Sequence, residues 1–215
     1  NISRAKGKYI AFCEGDDYWT DPFKLQKQVD FLEANHEFVM CFHDCRFMRL
    51  GMLQETFLQK HNFKINREIS KAEFNKYWLA QTATIVLRNN HKIFEEMNLM
   101  PSIFYGDMVF RFVLLKFGKI YLINDVMSVY RINSGGVTQS VAYDNTDFSK
   151  IEQYKNMQKF LKMPTSELVS KSYYSIAKRR YVKNQYLSFI KYFLLSFIAN
   201  PSYLIQNSVK NINKK

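Results

Sequence analysis

The stretch that decides the fold is KGKYIAFCEGDDYWTDPFKLQKQ, Lys6 to Gln28. Its apolar run, Tyr9 to Cys13, ends abruptly in Glu14, Gly15, Asp16 and Asp17. A short apolar run with aromatic and β-branched residues predicts a buried strand over Lys8–Cys13. After the acidic residues, Thr20 or Asp21 is placed to cap a helix, and Pro22 suits its first turn. Leu25, Val29 and Leu32 then recur at helical spacing, with Lys and Gln between them. Clustered carboxylates repel unless something positive neutralises them. Hard divalent cations do so and prefer oxygen ligands. Gly15 permits a tight turn, so Asp16 and Asp17 suit a Mg²⁺ or Mn²⁺ shared with a diphosphate. The alternative is that both are solvated turn or capping residues.

Outward from this stretch, strands and helices alternate. FVMCFH (Phe38–His43) predicts the next strand, and residues 44–70 predict strand pieces with loops. SKAEFNKYWLA reads as a short helix with a Ser cap, TATIVLR (Thr82–Arg88) as a strand and NHKIFEEMN as a helix. GDMVFRFVLLKFG (Gly106–Gly118) predicts a helix closed by a glycine stop. KIYLI and VMSVYRI predict two strands separated by a turn at Asn124–Asp125, and NSGGVTQS a polar loop. From Asp147 onward the pattern is helical, with breaks at Pro164 and Pro201. This order predicts an α/β fold with a largely parallel sheet, over residues 1–145, followed by a helical basic tail over 146–215. Ligands bind outside the carboxyl ends of strands in such sheets, which puts Glu14 to Asp17 on the binding edge.

Composition excludes several classes. A hydrophobic content of 47%, with 7 Gly and 4 Pro in 215 residues, predicts a packed core rather than disorder. The sequence opens on Asn1 and enters a strand almost at once, so it reads as a piece of a longer protein. Three cysteines at Cys13, Cys41 and Cys45 form no disulfide framework and favour a reducing compartment. Cys41, His43 and Cys45 could suggest a metal site, but no second pair closes it, and apolar strand residues are the better reading.

Net charge is +12 and unevenly spread. Beyond Glu167 there is no Asp or Glu, but nine Lys and Arg: Lys171, Lys178, Arg179, Arg180, Lys183, Lys191, Lys210, Lys214 and Lys215. The rest of the chain keeps only +3, since 12 minus 9 is 3. Such a tail seeks an anionic surface. Lys191, Asn200 and Pro201 interrupt the apolar stretch Tyr186–Ile205, which makes it a poor spanning helix. Phe189, Phe193, Leu194, Phe197 and Ile198 fall at helical spacing. They predict either an in-plane helix on anionic lipid or a helix packed against the rest of the protein. Nucleic acid is the weaker partner, because the aromatics are interleaved with Leu and Ile.

Two segments carry a resemblance. AKGKYIAFCEGDDYWTDPFKLQKQVDFLE (Ala5–Glu33) closely resembles the signature of family 2 glycosyltransferases of the GT-A fold. That signature reads A-x-G-K/E-Y-I-x-F-L-D-x-D-D, then an aromatic pair, a Pro and an amphipathic helix. FYGDMVFRFVLLKFGKIYLINDVMSVYRINSGGVTQS (Phe104–Ser140) resembles the family's later segment, E/G-D, a helix, G-K-I, a strand pair and Y-R-x-H. The likeness covers about residues 2–140 and implies a partial, Rossmann-like GT-A domain. It lacks the opening βα units that hold the base and ribose, so the isolated chain is expected to bind nucleotide-sugar poorly. On this resemblance Asp16 and Asp17 contact the nucleotide ribose and the divalent metal, Mn²⁺ or Mg²⁺. Glu14 stands at the first Asp of D-x-D-D, one methylene longer. Asp107 falls on the catalytic base, although an Asp in a helix's first turn also complements the dipole. Arg131 belongs to the donor side or only braces the glycine loop that follows it, and Asn133, also on the donor side, stands where the family often has His. Tyr18 and Trp19 line the acceptor side or, for Trp19, anchor the core.

The implied activity is inverting transfer of a sugar from a nucleotide-diphospho-sugar to a hydroxyl of a glycan or lipid-linked acceptor. Its setting would be cell-surface polysaccharide or lipid-linked glycan synthesis, cytoplasmic and peripheral at the inner face of the membrane. Two alternatives stand beside it. One is a non-catalytic membrane-associated remnant or interaction module. The other is a metal-dependent phosphodiesterase or nuclease, which calls for more metal ligands than His36, His43, His61 and His91 supply near the cluster.

Overall fold

The computed structural model describes residues 4–61, 63, 67–76, 79–133 and 143–205. It divides into two compact units, one of Asn1–Phe94 with Phe110–Gln139, the other of Glu95–Val109 with Ser140–Lys215. The expected polar loop beyond Asn133 and the last three lysines, Lys210, Lys214 and Lys215, lie outside the described residues.

The first unit is mixed α/β. Among the described residues its seven strands are β1 (Tyr9–Ala11), β2 (Tyr18–Trp19), β3 (Phe38–Arg49), β4 (Met52–Thr56), β5 (Arg67–Ile69), β6 (Val86–Arg88) and β7 (Lys119–Ile132). The two long strands, β3 and β7, pair with each other along their length and form the spine. Each has its outer edge shared by two short strands. β6 and β4 flank β3, while β5 and β2 flank β7, and β1 extends the sheet beyond β6. Among the described residues, only β3 and β7 run parallel; every other pairing is antiparallel. The expectation of a largely parallel sheet is therefore corrected to a mixed one. Strand–helix alternation leaves room for parallel crossovers, but it does not fix which strands become neighbours. Here the short strands return reversed.

Three boundaries differ from the sequence reading. Asn124 and Asp125 form no turn, because β7 runs through them as a bulge where the pairing steps from His43↔Ile123 to Asp44↔Val126. Lys27 anchors the bulge, its Nζ donating to Asp125 Oδ2 at 2.7 Å and Asp21 Oδ2 at 2.8 Å. β3 continues past His43 to Arg49 and turns into β4 through Leu50 (φ 50°) and Gly51 (φ 76°). Two positive φ values in a two-residue hairpin loop match the twist of the flanking strands. Of the predicted strand Thr82–Arg88, the first three residues form a 3-10 turn and only Val86–Arg88 is strand.

Among the described residues, four helices start in this unit, α1 (Lys24–Ala34), α2 (Phe57–His61), α3 (Lys71–Lys76) and α4 (His91–Met97), and α5 (Gly106–Phe117) ends in it. Asp21 rather than Thr20 prepares α1, its Oδ1 accepting the Phe23 N–H at 2.7 Å. The buried stripe of α1 is Lys24, Gln28 and Leu32, while Leu25 is exposed. Leu32 joins Phe38, Cys41 and Val86 in the core. Gln28 reaches across to donate to the Thr84 carbonyl at 2.9 Å and the Cys41 carbonyl at 3.3 Å. A polar residue thus takes the place the periodicity gave to an apolar one, because it ties helix to sheet. The expected Ser cap of α3 is present: Ser70 Oγ accepts the Glu73 N–H, and the Glu73 carboxylate accepts from the Ser70 N–H and hydroxyl. Gly118 is not a left-handed stop. A Cβ there would lie 2.9 Å from the Glu37 carbonyl oxygen, so glycine is needed for the close approach of the residue just before β3.

The second unit is helical, with α6 (Tyr143–Phe160), α7 (Ser166–Val182) and α8 (Tyr186–Ala199). The breaks at Pro164 and Pro201 are observed, residues 201–205 forming a further helical turn. Asn184 (φ 58°) reverses the chain between α7 and α8, a left-handed position that Asn tolerates. The two helices pack closely through a buried serine pair, with Ser170 Oγ donating to the Ser196 carbonyl and Ser196 Oγ to the Ser170 carbonyl, each at 2.9 Å. Arg179 pairs with Asp147 at 2.6 Å and fixes α7 to α6. Among the described residues, no helix is long and apolar enough to cross a membrane.

Candidate metal centre

The acidic stretch forms a reverse turn between β1 and β2, closed by the Asp17 N–H donating to the Glu14 carbonyl at 3.1 Å. Gly15 contributes less than its type suggests. It has no left-handed φ, and a Cβ added to it would meet nothing within 4 Å. β2 then pairs antiparallel with the end of β7, Tyr18 opposite Val129 and Trp19 opposite Ser128. This pairing brings residues far apart in sequence to the turn. The Arg131 N–H donates to Asp17 Oδ1 at 2.9 Å, and Asn133 Nδ2 donates to Asp16 Oδ2 at 3.1 Å. The Arg131 guanidinium lies over the Tyr18 ring, 5.1 Å from its centroid.

Among the described residues, Glu14, Asp16 and Asp17 are the one group of three whose potential ligand atoms lie within 4.8 Å of one another. Glu14 and Asp16 are exposed, whereas Asp17 keeps only 7% of its surface. Its second oxygen, Oδ2, is buried with no hydrogen-bond partner. Burial first, and the charges of Asp16 and Glu14 next, push the Asp17 carboxyl up to about 6, against the pull of the Arg131 N–H. Burial and the same three carboxylates also raise the Tyr130 hydroxyl. A buried carboxylate oxygen without a donor, in a set of hard oxygen ligands, fits a divalent cation.

The other sequence-derived candidates fall elsewhere. Cys41, His43 and Cys45 do not assemble a metal site. Both cysteines are buried, and burial pushes the Cys41 thiol up to about 12 and the Cys45 thiol further. Burial likewise lowers His43 to about 3, so it is neutral, with Nδ1 against the Asp44 carbonyl at 2.7 Å. Trp19 is an anchor, its indole N–H donating to the Ala83 carbonyl at 3.0 Å. Asp107 belongs to the second unit, in the first turn of α5, exposed, with Oδ1 accepting the Met108 N–H at 2.6 Å. Gln153 of α6 escaped the sequence reading. Fully buried, its Oε1 accepts from the Phe104 and Tyr105 N–H groups at 2.9 and 2.8 Å, and its Nε2 donates to the Tyr105 carbonyl. It pins the segment that leads into Asp107. A single Gln in a helical pattern carries no signal of that kind.

In the sequence Lys24 is one of the polar residues set between the apolar positions of α1. It is fully buried beneath Trp19, its Nζ 4.3 Å from the ring centroid and without a hydrogen-bond partner. Burial lowers its pKa from 10.5 to about 8. The ammonium therefore costs stability at neutral pH, and the cost fades as pH rises from about 8 through 10.5. Lys24→Met is expected to raise stability near pH 7 by on the order of 2–3 kcal/mol, with the gain shrinking as pH rises past about 8 and gone above 10.5. Denaturant unfolding at the two pH values checks this. A loss of stability at both would mean that the ammonium is satisfied.

The fold and turn together give a mixed α/β unit with a cluster of three carboxylates that could hold a metal ion beside its sheet. No protein-family model matches the chain. It is similar to uncharacterized proteins of Mycobacterium tuberculosis and Mycobacterium bovis, at 32% identity over 148 residues, which is 68% of this chain. The chain spans about two fifths, 41%, of the length of these curated relatives.

Proposed function

We propose that this chain is part of an inverting, metal-dependent glycosyltransferase of the GT-A type, similar to family 2. The observation that carries the reading is the meeting of two sequence segments that the resemblance treats separately. Asp16 and Asp17 of the first are hydrogen-bonded to Asn133 and the Arg131 N–H of the second. A solvated acidic turn gives no reason for one carboxylate to be buried with a free oxygen, whereas a cation site does.

In this reading Asp17 and Asp16 hold Mn²⁺ or Mg²⁺, with Glu14 at the rim. The cation supplies charge neutralisation for a departing diphosphate. Arg131 and Asn133 hold the turn that presents those carboxylates, and Asn133 replaces the family's usual His as an uncharged donor. By the sequence likeness alone, Asp107 takes the proton of an acceptor hydroxyl. The acceptor oxygen forms its bond to the anomeric carbon as the bond to the diphosphate oxygen breaks.

The reading is tested by incubating the protein, and its longer mycobacterial relatives, with a panel of nucleotide-sugars and Mn²⁺. Release of nucleoside diphosphate that stops on chelation supports it. Absence of turnover and of nucleotide binding across the panel, in the longer proteins as well, would overturn it in favour of a non-catalytic module.

A further inference from the structure

The second unit carries an apolar face that its own packing does not cover. Leu187, Ile190, Phe193, Leu194, Phe197 and Ile198 of α8 are all exposed, Leu187 to 86% and Ile198 to 76%. At 3.6 residues per turn these six fall within a sector of about 140°, with Lys191 at its edge. The opposite side of the helix, marked by buried Ser196 and half-buried Tyr192 and Phe189, faces α7. α8 is therefore packed on one side and bare and apolar on the other. Contiguous exposure of that kind marks a binding surface.

Charge selects the occupant. No Asp or Glu follows Glu167, while Lys171, Lys178, Lys183 and Lys191 are exposed on the same helical pair. A second copy would bring an identical face with identical charges and no acid beyond Glu167 to offset them. An anionic bilayer offers both an apolar phase for the Leu, Ile and Phe side chains and phosphates for the lysines. α8 has 14 residues and so is about 21 Å long, short of a hydrocarbon core of about 30 Å. It can lie in the interface but not span it.

We infer that the α7–α8 pair docks on anionic lipid, with α8 lying in the bilayer plane and its Leu187–Ile198 face inward. The test uses the 215-residue chain and vesicles of phosphatidylcholine, with or without phosphatidylglycerol, separated by flotation. Wild type is expected to partition onto the phosphatidylglycerol vesicles, less so as salt rises. Leu187→Gln with Leu194→Gln is expected to cut that partition roughly 100-fold while every Lys and Arg remains. Lys183→Gln with Lys191→Gln is expected to cut it roughly tenfold or more. All four side chains are exposed, so unchanged circular dichroism verifies folding. Equal binding by wild type and the leucine variant would overturn the inference, since it would assign adsorption to basic charge alone. So would a concentration-dependent dimer, seen by light scattering, that dissociates in the leucine variant while no wild-type protein floats with vesicles.

Discussion

Asp17→Asn is expected to abolish Mn²⁺ binding and, in the same molecule, to stabilise the metal-free protein. The two effects share one cause. Asp17 is 7% exposed, one oxygen is held by the Arg131 N–H and the other has no donor. Without a cation, the ionised form faces burial and two neighbouring carboxylates, which push its pKa from 3.8 to about 6. The cost of keeping it charged appears as pH rises from 3.8 to about 6 and is fully present above that. Asn retains an oxygen for the Arg131 N–H and removes the charge. The expected gain above pH 6 is on the order of 2 kcal/mol, vanishing below pH 4. Groups that merely support metal ligands are worth about 10–100-fold in affinity, so loss of the buried ligand itself should exceed that. Calorimetric unfolding and Mn²⁺ titration check the two arms. A structural turn residue would give the reverse, namely lower stability and unchanged Mn²⁺ affinity.

The second large effect is catalytic. Asp107→Ala is expected to lower nucleotide-sugar turnover about 10²–10⁴-fold, the contribution of a positioned general base. Its other effects should be small. Asp107 is exposed and bonded to its own helix's first turn, where a carboxylate contributes about 0.3–1 kcal/mol. Mn²⁺ affinity should be unchanged. Turnover that survives the substitution would leave Asp107 as a dipole-complementing residue and place the base elsewhere.

The sequence carries some of this unevenly. The acidic turn was legible because a strand, a carboxylate run and a helix lie within one short stretch. The coupling of Asp17 to Arg131 was legible only as two motifs, since pairing of β2 with β7 is a long-range event that periodicity does not report. The mixed sheet was missed for the same reason: hydrophobic pattern gives strand positions but not their neighbours. On α1 the pattern points to Leu25, yet the buried positions are Lys24 and Gln28: the Cys41 and Thr84 carbonyls supply partners for Gln28, and Trp19 covers Lys24, neither of which a helix pattern alone reveals. Gly118 and Gly15 invert the usual inference. The first is required by the backbone of Glu37, and the second is surrounded by open space.

Everything proposed for the turn Glu14–Asp17 depends on its holding a divalent cation. The most direct measurement is the electron paramagnetic resonance signal of free Mn²⁺ during titration into wild-type and Asp17→Asn protein. A saturable loss of signal is expected in wild type, at one Mn²⁺ per chain, and none in Asp17→Asn. Identical titration curves for the two proteins would contradict it.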